Sequence, residues 1–252
     1  MLIRLLSDLH QEFKPYEVQS LAEDKQSVLV LAGDIDVGTN ARDLIIEQSS
    51  EFAHVIYILG NHEFYNNDID EVANDVAHEL RDIPNVSFLD NQSVVIGDVR
   101  FVCSTLWTDM DNENPVSMFK IEQSLNDYHS IYSYRDGHMI TATTTIDLFK
   151  KNMQYLEDEL SRPHDGPTVV VTHHLPSFKS VHPIYRNSQI NGAYASNCEK
   201  LMHDHDIVYW FHGHTHQTMA YEINGCKVRS NPFGYAGVEE NLHFDPTFRV
   251  EV

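Results

Sequence analysis

The chain alternates short apolar runs with segments whose apolar residues recur every three or four positions, as strands alternating with amphipathic helices do. The runs at 2–7, 28–32, 55–59, 168–172 and 207–211 are largely Val, Ile, Leu and aromatic residues, the pattern of strands buried on both faces. Leu44, Ile45, Gln48 and Phe52 predict a helix over 41–52, and Val72, Val76 and Leu80 predict one over 71–81 that Pro84 stops. Ile146, Phe149, Met153, Leu156 and Leu160 form the apolar stripe of a third helix over 143–160. Shorter strands are expected at 86–89, 93–96 and 99–103, continuing the sheet in antiparallel or mixed fashion. Those at 219–223, 226–230 and 248–252 should form or complete a second sheet, with Asn224-Gly225 as a hairpin turn. Such alternation predicts an α/β fold with parallel crossovers, and 252 residues are accommodated as one domain over 1–252.

The pattern fails once. From Trp107 to His138 periodicity gives way to aromatic, acidic and amide residues, and so long an unpatterned stretch reads either as a lid or substrate wall or as a surface excursion packed by its own aromatics.

What distinguishes the five buried runs is how they end. The first runs into Asp8-Leu9-His10, the second into Gly33-Asp34, the third into Gly60-Asn61-His62-Glu63, the fourth into His173-His174, and the fifth into His212-Gly213-His214-Thr215-His216. Open α/β sheets build their sites at these carboxyl ends. Taken singly each motif has a plain reading: Asp8 as a cap beside a surface histidine, Asp34 in a turn, Glu63 as a cap, Asp36 as a turn residue. Taken together, three histidines at alternate positions and five clusters of hard donors are difficult to explain as packing. Adjacent side chains on an extended segment diverge, so one of His173 and His174 is expected to face the cluster.

Composition narrows the chemistry. Seventeen basic against 38 acidic side chains give a formal charge of −21, which opposes a long polyanion, so nucleic acid is not the expected partner. Bound cations would offset that charge locally and attract a phosphate. Three cysteines without paired spacing, Cys103, Cys198 and Cys226, argue against a disulfide framework or a thiolate site. No run approaches the roughly 18 apolar residues of a membrane span, and the segment before Ser7 is too short for a signal-peptide core, so a cytoplasmic protein is expected.

Asp8, His10, Asp34, Asn61, His173, His214 and His216 thus offer mixed nitrogen and oxygen donors without sulfur, which suits Mn²⁺, Fe or Zn²⁺ better than Ca²⁺. So many donors are enough for two divalent ions with Asp34 between them, and two ions roughly 3.5–4 Å apart suit hydrolysis of a phosphate ester by a bridging hydroxide. Arg186 is a candidate phosphate contact, against the plainer reading of a solvated loop arginine, and the segment beginning at Trp107 is a candidate wall around a small phosphodiester or phosphomonoester.

The ordered motifs Asp-x-His, Gly-Asp, Gly-Asn-His-Glu, Thr-His-His and Gly-His-x-His, spanning Asp8 to His216, resemble the calcineurin-like metallophosphoesterase family. The resemblance implies a four-layer αββα sandwich of two mixed β-sheets flanked by helices. It implies one ion on Asp8, His10, Asp34 and His216, and a second on Asp34, Asn61, His173 and His214. It implies His62 as the general acid, assisted by a carboxylate that the sequence does not single out. The substrate stays open within it, phosphoproteins included, as does a scaffold of the same fold without turnover. Loss of metal-ligating residues would be the sign of such a scaffold, and here the set is complete. Oligomeric state is not legible.

Overall fold

The computed structural model describes residues 1–252. In chain order its strands are β1 (Leu2–Leu6), β2 (Ser27–Ala32), β3 (His54–Ile58), β4 (Val86–Phe88), β5 (Gln92–Ile96), β6 (Val99–Ser104), β7 (Tyr132–Ser133), β8 (His138–Met139), β9 (Thr168–Thr172), β10 (Tyr209–His212), β11 (Met219–Ile223), β12 (Cys226–Ser230), β13 (Gly234–Tyr235), β14 (Glu239–Glu240) and β15 (Arg249–Glu251). One sheet has the order β15-β1-β2-β3-β4 and the other β11-β12-β10-β9-β6-β5, while β7-β8 and β13-β14 are small hairpins. The first sheet is parallel except at its β15 edge, and the second is parallel at its centre with antiparallel pairs at both edges, so both are mixed.

Alternation along the strands assigns their buried side chains to layers. Ile3, Leu5, Val28, Val30, Ile56 and Ile58 of the first sheet meet Phe101, Val169, Val171 and Phe211 of the second, forming the core between the sheets. The opposite face of the first sheet, with Leu29, Leu31, Val55 and Tyr57, packs on helices Arg42–Glu51 and Val72–Leu80. The opposite face of the second, with Val102, Val170, Trp210 and Val228, packs on helices Ala142–Leu160 and Glu199–Asp204. The result is the expected αββα arrangement.

Two strand assignments differ from the sequence reading. Only Leu89-Asp90-Asn91 separates β4 from β5, yet β4 is parallel to β3 in the first sheet and β5 opens the second. Asn91 holds this switch in a left-handed conformation (φ 49) while its side-chain oxygen accepts from Ser104 Oγ and Asn152 Nδ2, both at 2.9 Å. The last strand, β15, returns to the first sheet beside β1 instead of completing the second. The Asn224-Gly225 turn forms as expected, both residues at positive φ (49 and 84) between β11 and β12.

The unpatterned segment holds a left-handed turn, two helices and a hairpin. Met110–Glu113 is a left-handed turn with φ between 53 and 60, and helix Pro115–Ser124 follows, started by Asn114, whose side chain accepts from the N–H groups of Val116 and Ser117. The Asn-Pro start is a legible helix signal. A short helix, Asp127–Ser130, then leads into the β7-β8 hairpin.

Candidate metal centre and cleft

The carboxyl ends of β1, β2 and β3 carry Asp8, His10, Asp34, Asn61 and His62, and those of β9 and β10 carry His173, His214 and His216. The sequence suggested a cluster at the end of one sheet. Instead the donors come from both, because the two sheets are stacked with these ends together. At Asp8, His10, Asp34, His214 and His216 the backbone is left-handed, with φ of 54, 47, 55, 68 and 47. Such non-glycine conformations cost roughly 1–3 kcal/mol each and persist where surrounding contacts fix them. Here Asp8 N–H donates to Gly33 O (3.0 Å), His10 N–H to Asp34 O (3.1 Å), and His214 N–H to Asp8 Oδ1 (2.8 Å). Gly60 permits the closest approach: a Cβ there would lie 2.1 Å from Asp34 Oδ1.

The side chains converge in three overlapping groups, Asp8–His10–His216, His10–Asp34–His62 and Asp34–His173–His214. His10 Nε2 faces His216 Nε2 at 3.0 Å, and His173 Nε2 lies 3.1 Å from Asn61 Oδ1 and 3.3 Å from Asp34 Oδ2. His216 Nε2 to Asp8 Oδ1 is 3.6 Å, and His10 Nε2 to Asp34 Oδ2 is 3.8 Å. Donors held about 2.1 Å from one ion stand roughly 3.0–3.4 Å from each other, so these spacings are close to the edges of coordination shells. Asp8 Oδ2 and His214 Nε2 are buried without any hydrogen-bond partner, a costly state that a cation would relieve. The residues therefore fit divalent metal. Asp34 faces both halves through Oδ2 alone, since its Oδ1 accepts from His62 N–H at 2.8 Å.

Surrounding groups set the imidazole orientations. His173 Nδ1–H donates to Ala32 O at 2.9 Å and His10 Nδ1–H to Glu12 Oε1 at 3.0 Å, leaving each Nε2 free to ligate. Asn61 Nδ2 donates to Asp127 Oδ1 at 2.9 Å, which turns its oxygen toward His173; Tyr65 Oη donates to the same carboxylate at 2.7 Å. Glu63 accepts from the N–H groups of Asp34, Ile35 and Gly60 and from Tyr57 Oη, tying the ends of β2 and β3 together. Burial and the Asp34 charge push its carboxyl up to about 7. Asp36 is a turn residue accepting from Val37 N–H.

His62 stands in one of these groups, with His10 and Asp34, and three further contacts fix its ring. Its Nδ1 lies 2.8 Å from Glu12 Oε1, its Nε2 lies 3.2 Å from Tyr235 Oη, and its ring stacks on Tyr65 at 4.2 Å. Burial opposes its charge, but Asp34 and Glu12 outweigh that, and its pKa is pushed up to about 9. Glu12, against its own burial, is held down at about 2 by His10 and His62. Burial among other imidazoles keeps His214 well below the ordinary value, hence neutral, the form that ligates.

The cluster opens into a cleft of about 430 Å³, whose walls include Ser124–Asp127, Tyr185, Tyr194 and Tyr235. The segment 107–138 supplies one wall through its helix junction, but Trp107 does not border the cleft. Its ring is buried against Phe64 and His174, at 5.7 and 5.1 Å, because an indole with an apolar strand end behind it packs inward. His174 points into this same packing, so of the pair only His173 reaches the cluster. Arg186 is exposed and lines a separate hollow with Lys120, sharing only Ser188 and Asn191 with the cleft. Glu12, Asp127, Tyr65, Tyr194 and Tyr235 were missed. The alternation Asp8-x-His10-x-Glu12 was the one local sign of Glu12.

The family profile for calcineurin-like phosphoesterases matches residues 1–218. The chain belongs to this family. Among relatives of this phosphoesterase, an uncharacterized protein of Acanthamoeba polyphaga mimivirus is 28% identical over 280 residues, covering 100% of this chain and 96% of the relative. The crystal structure of a phosphopantetheinyl hydrolase from Mycobacterium tuberculosis is similar with a TM-score of 0.70 at 15% identity, covering 98% and 97% of the two chains. A protein described as the anchor in the inner membrane complex of Plasmodium is similar at a TM-score of 0.51 and 14% identity, over 95% of this chain and 75% of that one. At these identities the two structures share the fold. No helix of the phosphoesterase is long and apolar enough to cross a membrane.

Proposed function

We propose that the chain is a dinuclear metal-dependent phosphoesterase acting on a small phosphodiester or phosphomonoester. The observation that carries this reading is the convergence of the seven donors from two sheets at ligand-to-ligand spacings, with Asp8 Oδ2 and His214 Nε2 left without protein partners. One ion would be held by Asp8, His10, Asp34 and His216, and the other by Asp34, Asn61, His173 and His214. Mn²⁺, Fe and Zn²⁺ all suit this nitrogen and oxygen set. Bound there, the ions would supply Lewis-acid polarisation of the phosphoryl oxygens and a water nucleophile at neutral pH.

The remaining work falls to the chain. Glu12 fixes the His62 proton at Nδ1 and favours the imidazolium, so the second proton sits on Nε2, the nitrogen on the Tyr235 side of the ring. From Nε2 it passes to the departing ester oxygen. Tyr65 and Tyr235 hold the ring in place from two sides. Asp127 keeps the Asn61 amide in its ligating orientation, and Glu63 keeps the Asp34 loop against the Asn61 loop.

The test is hydrolysis of bis(p-nitrophenyl) phosphate and p-nitrophenyl phosphate by metal-stripped protein reconstituted with Mn²⁺, beside Asp34→Asn treated identically. Phosphopantetheinyl esters belong in the same substrate panel, given the solved relative named for that group. Metal-dependent turnover lost in the variant is expected. Stoichiometric metal uptake with no turnover of any ester would move the chain to a scaffold role.

A further inference from the structure

The cleft has an unusual charge inventory for a phosphate site. None of the 21 residues that line it is a lysine or an arginine, and it includes Asp34, Asp127 and Glu239. Lys120 and Arg186, in the neighbouring hollow, lie beyond Ser188 and Asn191, and Lys120 is hydrogen-bonded to Gln189. A phosphate charge that faced neither the metal ions nor His62 would therefore meet carboxylates and phenols with no ammonium or guanidinium donor, in a chain already at −21. The rest of the wall suits an uncharged organic group: Tyr65, Tyr185 and Tyr194 offer aromatic faces, Leu125 and Ile190 apolar contact, and Asn191 amide hydrogen bonds. At about 430 Å³ the cleft falls in the range of small-molecule sites, roughly 300–1,000 Å³.

We infer that the cleft selects singly charged phosphodiesters carrying an uncharged aromatic or amide-bearing arm, and discriminates against monoester dianions and polyphosphates. The inference rests on the phosphoesterase reading and narrows it. The arm lies along the tyrosine wall, and the ester oxygen that would be a second anionic charge in a monoester is instead substituted.

Binding, not turnover, separates the possibilities. Metal-loaded protein is titrated calorimetrically with phenyl methylphosphonate, a monoanion that stands for the diester, and with phenylphosphonate above pH 8, a dianion that stands for the monoester. Wild-type protein is expected to bind the monoanion at least tenfold more tightly. Ser188→Arg, which adds a guanidinium at the shared border of cleft and hollow, is expected to tighten the dianion about tenfold more than the monoanion. Tighter binding of the dianion by wild type, or a Ser188→Arg variant that does not favour it, overturns the inference while leaving the phosphoesterase reading intact. Metal-loaded protein that binds neither analogue overturns both.

Discussion

Glu12→Gln is the substitution whose consequence follows most directly from the geometry. One carboxylate oxygen serves two imidazoles, His62 at 2.8 Å and His10 at 3.0 Å, in a side chain only 19% exposed. Glutamine keeps the shape and one acceptor but removes the charge. A hydrogen bond to a charged group contributes about 1.5–3 kcal/mol, and a neutral one about half of that. The loss is then about 0.8–1.5 kcal/mol at each imidazole, or roughly four- to twelvefold in rate for His62. The effect should depend on the leaving group. A p-nitrophenolate departs with little protonation, so kcat should change about twofold, whereas an alkyl or benzyl leaving group should show the full loss. The sign of the pH effect is fixed as well. His62 acts while protonated, and Glu12 raises its pKa, so removing the charge moves the basic limb of kcat to lower pH; the comparison is made at equal metal loading, since bound cations lower the pKa in both proteins. The assay is kcat against pH for paired p-nitrophenyl and benzyl diesters. Equal losses on both substrates, with a stationary basic limb, would refute the assignment of Glu12 to the His62 proton.

Two further outcomes follow from the packing. Gly60→Ala places a methyl group 2.1 Å from Asp34 Oδ1, so metal affinity should fall at least tenfold in calorimetric titration while the far-ultraviolet circular dichroism stays native. His212 is buried and its pKa is held down at about 4 by burial, against an ordinary value of 6.5, with Ser180 Oγ at 2.8 Å from its Nε2. The native state thus binds fewer protons than the unfolded chain between those values. Its contribution to stability is complete above pH 6.5 and is lost as pH falls toward about 4. Urea unfolding of metal-free protein should therefore lose one proton's worth of slope, about 1.4 kcal/mol per pH unit, in His212→Gln relative to wild type between pH 6 and 4.5; identical slopes would contradict a neutral buried imidazole.

The strand ends were legible because each pairs a local apolar run with a donor immediately after it, and both signals sit within a few residues. Asp8, His10, Asp34, Asn61, His173, His214 and His216 all fall in the one cluster for this reason. What was hidden is long-range. The change of sheet at Leu89-Asp90-Asn91 depends on Asn91 meeting Ser104 and Asn152, which no local pattern announces. Asp127 reaches Asn61 across 66 residues from a segment without periodicity. Arg186 was expected from its loop after the fourth strand and its scarce charge, and Trp107 from the unpatterned segment it opens, but packing behind His174 and a position beyond Ser188 remove them from the cleft. The left-handed backbone at five of the donors is equally invisible, because Asp and His are not residues that advertise positive φ as glycine does.

A pair of ions sharing Asp34 would show itself in the electron paramagnetic resonance of protein loaded with two equivalents of Mn²⁺. Two ions should bind per chain and give the multiline spectrum of an exchange-coupled pair, collapsing to an isolated-ion signal in Asp34→Asn. Two bound ions giving only the six-line spectrum of uncoupled Mn²⁺ in the wild type would contradict it.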